Sequence, residues 1–243
     1  MIVLLTDFGQ SEYVGIMKAV IYTINPKAII TDLCHNITAQ DLIEAAWVLK
    51  NSHGFFPSGT TFCCVVDPGV GTARNAIVVK TNDYFFAAPD NGLLWETLRD
   101  QNVLSIRRLP VPKDASRTFH GRDIFAKAAA NIDLDPDSAL GEQVEEMEQL
   151  EFYRNGREGM VVRIDSFGNV VTNLPTQNKD TYLVQVDEKE YTMNFCETYS
   201  DAKGNELFLI EGSYNTLEIS LKNGNANGIL CLKAGQRISV FRK

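Results

Sequence analysis

The sequence TTFCCVVDPGVGTAR, at residues 60–74, passes from an apolar run into a carboxylate and then a glycine-rich loop. The apolar half is typical of a buried strand. Ligands of open α/β sheets bind outside the carboxyl ends of the strands, so Asp67 would lie at a binding edge. The loop then supplies Arg74, a cation that can approach this carboxylate. A tight turn with a surface salt bridge would explain the same residues equally well.

Apolar strands and amphipathic helices alternate around this stretch. Residues 2–5 and 28–33 predict strands, and Val14, Met17 and Ile21 lie at helical spacing between them. This alternation is typical of a largely parallel sheet, because parallel strands are joined by helical crossovers. We therefore predict an α/β domain with a largely parallel sheet over residues 1–154, which would be the catalytic domain.

Several of these predicted strands end on a carboxylate. The residues are Asp7, Asp32, Asp67 and Asp90. Parallel strands place their carboxyl ends at one edge, so we expect these side chains to share a rim. Like charges on one rim are costly unless a cationic ligand, a metal, or Arg74 and His120 offset them. Taken singly, each aspartate would be explained as a helix cap or a turn residue.

The pattern changes after residues 142–151, which carry glutamates but no lysine or arginine. This acidic segment predicts a solvated linker or an exposed helix. Beyond it, short strands alternate with turns such as those at residues 203–205 and 222–224. That spacing is typical of a β-barrel or sandwich. We predict a small all-β barrel as the substrate-binding domain, over residues 158–243.

Composition argues against several functional classes. The formal net charge is −8 and no basic run occurs, which disfavours nucleic acid as a partner and suits a cationic small substrate. No apolar run approaches membrane-spanning length, and the first residues do not resemble a signal peptide. The five cysteines lack C-x-x-C spacing, so free thiols are expected rather than disulfides or a zinc site. We expect a cytoplasmic protein.

Candidate chemistry centres on His120. Neither a complete phosphate-loop signature nor a G-x-S-x-G elbow occurs. His120 lies in the motif FHGRD at residues 119–123, and with Asp67 and Arg74 it makes a set that can bind and deprotonate a water molecule. A metal hydrolase uses the same residue types, but no H-x-x-x-H or H-x-H pair supports a metal specifically.

Five motifs occur in a defined order along the chain. They are TDFG at 6–9, VVDPGVG at 65–71, PDNG at 89–92, FHGRD at 119–123 and DSFGN at 165–169. Together they resemble the S-adenosyl-L-methionine (SAM) hydrolase family, also called SAM hydroxide adenosyltransferases, which is related to the SAM-dependent fluorinase and chlorinase. The resemblance implies an N-terminal α/β domain, a C-terminal β-barrel, and a homotrimer with active sites at subunit interfaces.

The resemblance also implies a role for individual residues. Asp67, Arg74 and His120 would activate water, which attacks C5′ of the ribose to give adenosine and L-methionine. Asp7 would contact the ribose hydroxyls and Asn169 the adenine edge. The full set of implied substrate-binding residues is Asp7, Phe8, Asp165, Phe167, Asn169, Ser213, Tyr214 and Glu218. Phe167 would stack near the adenine, while Asp165 and Ser213 would hold the methionine part. SAM is then the substrate, and neither a cofactor nor a metal is implied.

One departure and three alternatives stay open. The family usually has Asn-Ser-x-Gly where this chain has GSYN at residues 212–215, which alters the loop expected to contact methionine. A SAM-dependent halogenase is one alternative, although the charge of Asp67 would disfavour a neighbouring halide. The others are a metal-dependent hydrolase and a non-catalytic protein that binds adenosine or SAM.

Overall fold

The computed structural model describes residues 1–138, 140–177 and 180–243. These residues form two compact units, Met1–Glu151 and Phe152–Lys243. The first unit contains a seven-stranded sheet with helices, and the second contains a closed barrel of strands. Each unit is built from its own hydrophobic clusters.

The first unit alternates strands and helices over most of its length. Its strands are β1 (Ile2–Thr6), β2 (Ile30–Cys34), β3 (Thr60–Val65), β4 (Ala76–Thr81), β5 (Tyr84–Pro89), β6 (Val103–Arg108) and β7 (Glu142–Val144). Its α-helices are α1 (Glu12–Ile24), α2 (Leu42–Ser52), α3 (Trp95–Leu98) and α4 (Ala126–Leu134). A 3₁₀ turn at His53–Phe55 follows α2, and a π-helical turn at Gly121–Phe125 leads into α4.

Strand β1 is apolar because it is buried on both faces. Alternate side chains of a strand point to opposite faces. Leu4 therefore packs in one core with Met17 of α1, and Leu5 packs in the other core with Leu49 of α2. All four side chains are fully buried, and each stabilises the fold by about 1.5–3 kcal/mol. The two cores fix the sheet between the helices and so fix the ends of its strands.

The sheet is mixed, so the prediction of a largely parallel sheet is wrong for its second half. The strand order is β2-β1-β3-β5-β4-β6-β7. The pairs among β2, β1, β3 and β5 are parallel, whereas β4 pairs antiparallel with β5 and β6, and β7 pairs antiparallel with β6. Only Asn82 and Asp83 join β4 to β5, and so short a connection cannot make a parallel crossover.

The predicted rim of four carboxylates is wrong for one of its members, Asp32. Asp7 directly follows β1, and Asp67 lies two residues after the end of the neighbouring strand β3. Asp32 instead lies inside β2, at the sheet edge, where it pairs with Lys18 at 2.6 Å. Asp90 follows β5, which runs parallel to β3, so it lies at the predicted edge. It is buried there and accepts a hydrogen bond from the backbone N–H of Glu148 at 2.8 Å. The prediction of a linker or helix is therefore wrong for residues 142–144, which form β7, whereas residues 145–151 are irregular and mostly exposed.

The second unit is the predicted barrel. Its strands are β8 (Glu158–Ile164), β9 (Val170–Pro175), β10 (Thr181–Val186), β11 (Lys189–Phe195), β12 (Leu207–Glu211), β13 (Thr216–Leu221) and β14 (Arg237–Arg242). A short helix, α5 (Ala226–Leu230), precedes β14. The barrel closes in the order β10-β11-β12-β13-β9-β8-β14, with β14 pairing back to β10. Closure pairs each described strand of the barrel with a neighbour on both sides.

The cysteines are free thiols, as the sequence predicted. Cys63 and Cys64 lie on opposite faces of β3 and are fully buried, and burial raises the pKa of Cys63 to about 12. These thiols are therefore packing groups rather than nucleophiles. No helix within the described residues is long and apolar enough to cross a membrane.

Candidate active site

Asp67 and Arg74 form a nearly buried ion pair beyond the end of β3. The Arg74 guanidinium meets the carboxylate side-on, with Nε donating to Oδ1 at 2.9 Å and Nη2 donating to Oδ2. The two side chains are only 6% and 10% exposed. A planar fork of this kind fixes a carboxylate in one orientation, which a lysine could not do.

The loop between these residues depends on Gly71. Its φ is +76°, a conformation that side chains with a Cβ rarely adopt. A Cβ at this position would also collide with the backbone carbonyl oxygen of Arg117. The loop can therefore pack directly against residues 117–120, which brings Arg74 within reach of His120.

His120 completes the cluster through Arg74. Nη2 of Arg74 lies 2.8 Å from Nδ1 of His120. Because a guanidinium can only donate, Nδ1 must accept, and the neutral imidazole carries its proton on Nε2. Burial, followed by the charge of Arg74, lowers the pKa of His120 below its usual value. The site thus holds His120 neutral with a fixed tautomer.

Arg74 joins the other two members of this cluster, so its guanidinium is not a free donor. Its Nη1 donates to the backbone oxygen of Asn75 at 3.3 Å, and its guanidinium lies 5.4 Å from the ring centre of Phe125. Most of its N–H groups are used in holding Asp67 and His120. The Asp67 carboxylate can still accept a hydrogen bond, and the Nε2–H of His120 can still donate one. Together they can bind one water molecule, which donates to Asp67 and accepts from His120.

A cavity of about 300 Å³ lies beside the cluster and reaches the lower size limit of small-molecule sites. Asp67 and His120 line it together with Asp7 and Phe8, so four of the predicted residues of the first unit meet there. The carboxylate of Asp7 already accepts the backbone N–H of Gln40 through Oδ2 at 2.8 Å. Within the described part of the chain, no residue donates to its other oxygen, Oδ1.

Aromatic side chains form one wall of this cavity. Phe8, Tyr13 and Phe119 contact one another edge to face, with ring centres 5.0–5.9 Å apart. The sequence reasoning missed Tyr13 and Gln40. Tyr13 lies in the first turn of α1, whose pattern was interpreted only for its buried face, and Gln40 directly precedes Asp41, the N-cap residue of α2.

In the second unit, Asp165 organises the predicted loop at residues 165–169. Its Oδ1 accepts the backbone N–H groups of Phe167 and Asn169, and its Oδ2 accepts Nδ2 of Asn169, all at 2.9 Å. The Phe167 ring is 77% exposed and so available for stacking. Asn169, by contrast, is buried.

Ser213 and Tyr214 lie in the turn between β12 and β13. The turn is closed by the Gly212 N–H, which donates to the oxygen of Thr216 at 2.9 Å. Asn215 replaces the glycine of the family pattern and has a φ of +58°. Asparagine tolerates this left-handed conformation better than most residues. Although the turn departs from Asn-Ser-x-Gly, its last position is therefore still occupied by a residue suited to the left-handed conformation.

Glu218 lies on β13 and is engaged within the barrel unit. Its Oε1 accepts the hydroxyl of Tyr199 at 2.8 Å and that of Ser220 at 3.0 Å. The sequence reasoning missed Tyr199, which lies in a loop and carries no motif. Among the described residues, no group of three or more His, Cys, Asp or Glu side chains could hold a metal ion.

An arginine-locked carboxylate and a neutral histidine on an α/β sheet, in a chain that also forms a closed barrel, define a two-domain enzyme able to activate water. The particular family follows from the comparison with family models. The chain belongs to the SAM hydroxide adenosyltransferase family, whose N-terminal domain matches residues 2–140 and whose C-terminal domain matches residues 159–239. The resemblance drawn from the five motifs is thereby confirmed.

Individual relatives agree with this placement. The chain is 34% identical to an (R)-S-adenosyl-L-methionine hydrolase from Thermus thermophilus, over 98% of both chains. A crystal structure of an uncharacterized conserved protein from Thermotoga maritima aligns over 100% of both chains, with a TM-score of 0.90 and 39% identity. A fluorinase from Nocardia brasiliensis is more distant, at 25% identity over 71% of this chain and 70% of that one.

Proposed function

We propose that this protein hydrolyses S-adenosyl-L-methionine to adenosine and L-methionine. The observation that carries the proposal is the Asp67–Arg74–His120 cluster, of which Asp67 and His120 line the cavity. The hydrolase relatives support the choice of substrate, since they match almost the whole chain.

In the proposed reaction, Asp67 accepts a hydrogen bond from a water molecule, and Nε2–H of His120 donates to its oxygen. The water oxygen attacks C5′ in line with the sulfonium, so an O–C5′ bond forms as the C5′–S bond breaks. Sulfur keeps the electron pair and leaves as the neutral thioether of methionine, while the water proton passes to Asp67 and then to solvent. The sulfonium is a good leaving group, so positioning and activation of the nucleophile provide the catalysis.

Water is favoured over a halide as the nucleophile. A halide in the same position would lie beside the carboxylate of Asp67, and like charges repel. A water molecule instead needs both an acceptor and a donor, which Asp67 and His120 supply. The fluorinase relatives match at lower identity and over less of the chain than the hydrolases do.

We further propose how the substrate is held. Asp7 and Phe8 contact the ribose side of the cavity, and the implied groups of the barrel unit contact the adenine and methionine parts. Those groups are Asp165, Phe167, Asn169, Ser213, Tyr214 and Glu218. The α/β unit would then be the catalytic domain, spanning residues 1–154, and the barrel the substrate-binding domain, spanning 158–243.

The assembly and its setting are part of the same proposal. We expect a homotrimer whose active sites lie at subunit interfaces, acting in the cytoplasm without a cofactor, metal, nucleic acid or membrane partner. The free cysteines suit a reducing compartment. Light scattering of the purified protein gives the molar mass of the assembly and so tests the trimer. Cell fractionation tests the cytoplasmic location.

Incubation of the pure protein with SAM, with and without chloride, tests the function. We expect adenosine and methionine in equal amounts under both conditions, identified by chromatography, and unchanged turnover after exhaustive chelation. Formation of 5′-chloro-5′-deoxyadenosine would favour a halogenase, loss of turnover on chelation would favour a metal hydrolase, and bound but unchanged SAM would favour a sensor.

A further inference from the structure

A chain of hydrogen bonds in the barrel unit joins Glu218 to Asn169 through a residue to which the family motifs give no role. Tyr199 donates its hydroxyl proton to Oε1 of Glu218 at 2.8 Å, and Ser220 donates to the same oxygen at 3.0 Å. Nδ2 of Asn169 lies 3.2 Å from the Tyr199 oxygen and 2.9 Å from Oδ2 of Asp165. Two carboxylates therefore stand at the two ends of the chain.

The direction of every bond in this chain is set by those carboxylates. An ionised carboxylate only accepts, so the single hydroxyl proton of Tyr199 is used on Glu218. The Tyr199 oxygen can then only accept from Asn169. Burial raises the pKa of Tyr199, the contact with Ser220 lowers it, and the hydrogen bond to Glu218 raises it again; the net shift is upward, so the hydroxyl keeps its proton.

These bonds leave one atom of the Asn169 amide, the acceptor Oδ1, for a ligand. Both hydrogens of Nδ2 are used, one on Asp165 and one on Tyr199. No described residue donates to Oδ1, and that oxygen is not sealed from solvent. Turning the amide over would place Oδ1 against two acceptors, so the observed orientation is the stable one. The side chain presents an acceptor and no donor.

We propose that Tyr199 and Glu218 are positioning residues that lock the Asn169 amide as a pure acceptor, so that the site selects substrates with an N–H donor. Applied to the proposed substrate, on which this inference rests, the donor is the 6-amino group of adenine. A 6-oxo purine presents an acceptor there and is rejected, because two acceptors would face each other.

Two variants separate this role from simple packing. Glu218→Gln keeps the shape but can donate, so the Tyr199 proton can turn toward Asn169. One of the two acceptors that oppose a turned amide is then removed, which weakens the lock on its orientation. Tyr199→Phe frees one Nδ2–H of Asn169 without removing the ring. Glu158→Gln is the matched control, because Glu158 also accepts a tyrosine hydroxyl, that of Tyr153, at 3.0 Å elsewhere in the barrel unit.

The experiment measures kcat and KM for SAM and for its 6-oxo counterpart, S-inosyl-L-methionine. We expect both variants to lower the preference for SAM by about tenfold, the effect of losing roughly one hydrogen bond. The change should appear in KM, and in Tyr199→Phe the kcat for SAM should stay within about twofold. Glu158→Gln should leave the preference unchanged. Circular dichroism establishes that each variant is folded.

Calorimetric binding of adenosine and inosine distinguishes failure of this inference from failure of the proposed function. If the wild type does not hydrolyse SAM but prefers adenosine, and the variants lose that preference, the proposed reaction fails and the positioning role stands. An unchanged preference in folded Tyr199→Phe overturns the role, as does a wild type that binds neither nucleoside or both equally. If Glu218→Gln does not fold, Tyr199→Phe alone decides.

Discussion

Replacing Arg74 with lysine separates the charge of the guanidinium from its geometry. The ammonium of lysine keeps the positive charge beside Asp67. It cannot, however, donate to both oxygens of Asp67 and to Nδ1 of His120 at the same time, as the fork does. The variant therefore tests whether the fixed geometry of the cluster, rather than its net charge, activates the nucleophile.

The size of the effect follows from the contacts. Arg74→Lys loses the bond to His120 and at least one of the two bonds to Asp67, each worth about 1.5–3 kcal/mol for a charged partner. Water recovers part of this loss. Removal of one fixed donor from a reaction centre costs about 2.7–4 kcal/mol in the barrier, so kcat should fall roughly 10²–10³-fold. The described lining of the cavity does not include Arg74, so KM for SAM should stay within about threefold.

The assay follows adenosine by chromatography under saturating SAM. Arg122→Lys is the control, because Arg122 also holds a carboxylate side-on, that of Asp123, and lies over the ring of Phe119. It does not contact the Asp67–Arg74–His120 cluster in the described structure. A kcat for Arg74→Lys within about threefold of wild type, with the variant fully folded, would refute the claim that the arginine fork holds the nucleophile site together.

Three further predictions follow from the same cluster. Asp67→Asn should reduce adenosine formation by at least about 10²-fold while SAM still binds in calorimetry, and retained turnover would exclude Asp67 as the acceptor of the water proton. Turnover should fall on the acid side with a midpoint below pH 6.5, because burial and Arg74 lower the pKa of His120. The stability that the neutral imidazole contributes should also be lost as the pH falls through that lowered pKa. An acid limb with its midpoint above pH 6.5 in the profile of kcat/KM against pH would contradict this. Gly71→Ala should lower the melting temperature by several degrees, since the left-handed backbone alone costs about 1–2 kcal/mol and the added Cβ meets Arg117; an unchanged melting temperature by calorimetry would show that the loop tolerates a side chain.

Much of the fold could be predicted because periodicity reports burial directly. The fully apolar β1 and the helical spacing of α1 both follow from contact with a core on a known face. The mixed half of the sheet was not captured by the alternation rule, although the short connection after β4 carried the information. A strand pair with a two-residue loop is antiparallel by geometry, and that local constraint overrides the general expectation of parallel strands.

The site was predictable where residues lie in compact motifs. Asp67 and Arg74 share one loop, and the ordered motifs added His120 from far along the chain. Asp32 was assigned wrongly, because an aspartate within an edge strand can instead pair with a lysine. Asp90 lies at the predicted edge, but its carboxylate accepts a backbone N–H there. Tyr199 was out of reach, since its partners are brought together only by the closed barrel.

The labelling of the product by solvent oxygen tests the central claim most directly. SAM is incubated with the protein in H₂¹⁸O, and the adenosine is analysed by mass spectrometry. Attack of water on C5′ places the solvent oxygen in the 5′-hydroxyl, so we predict adenosine heavier by the mass of one ¹⁸O substitution, with unlabelled methionine. Adenosine without the label, or release of free adenine instead, would contradict the proposed reaction.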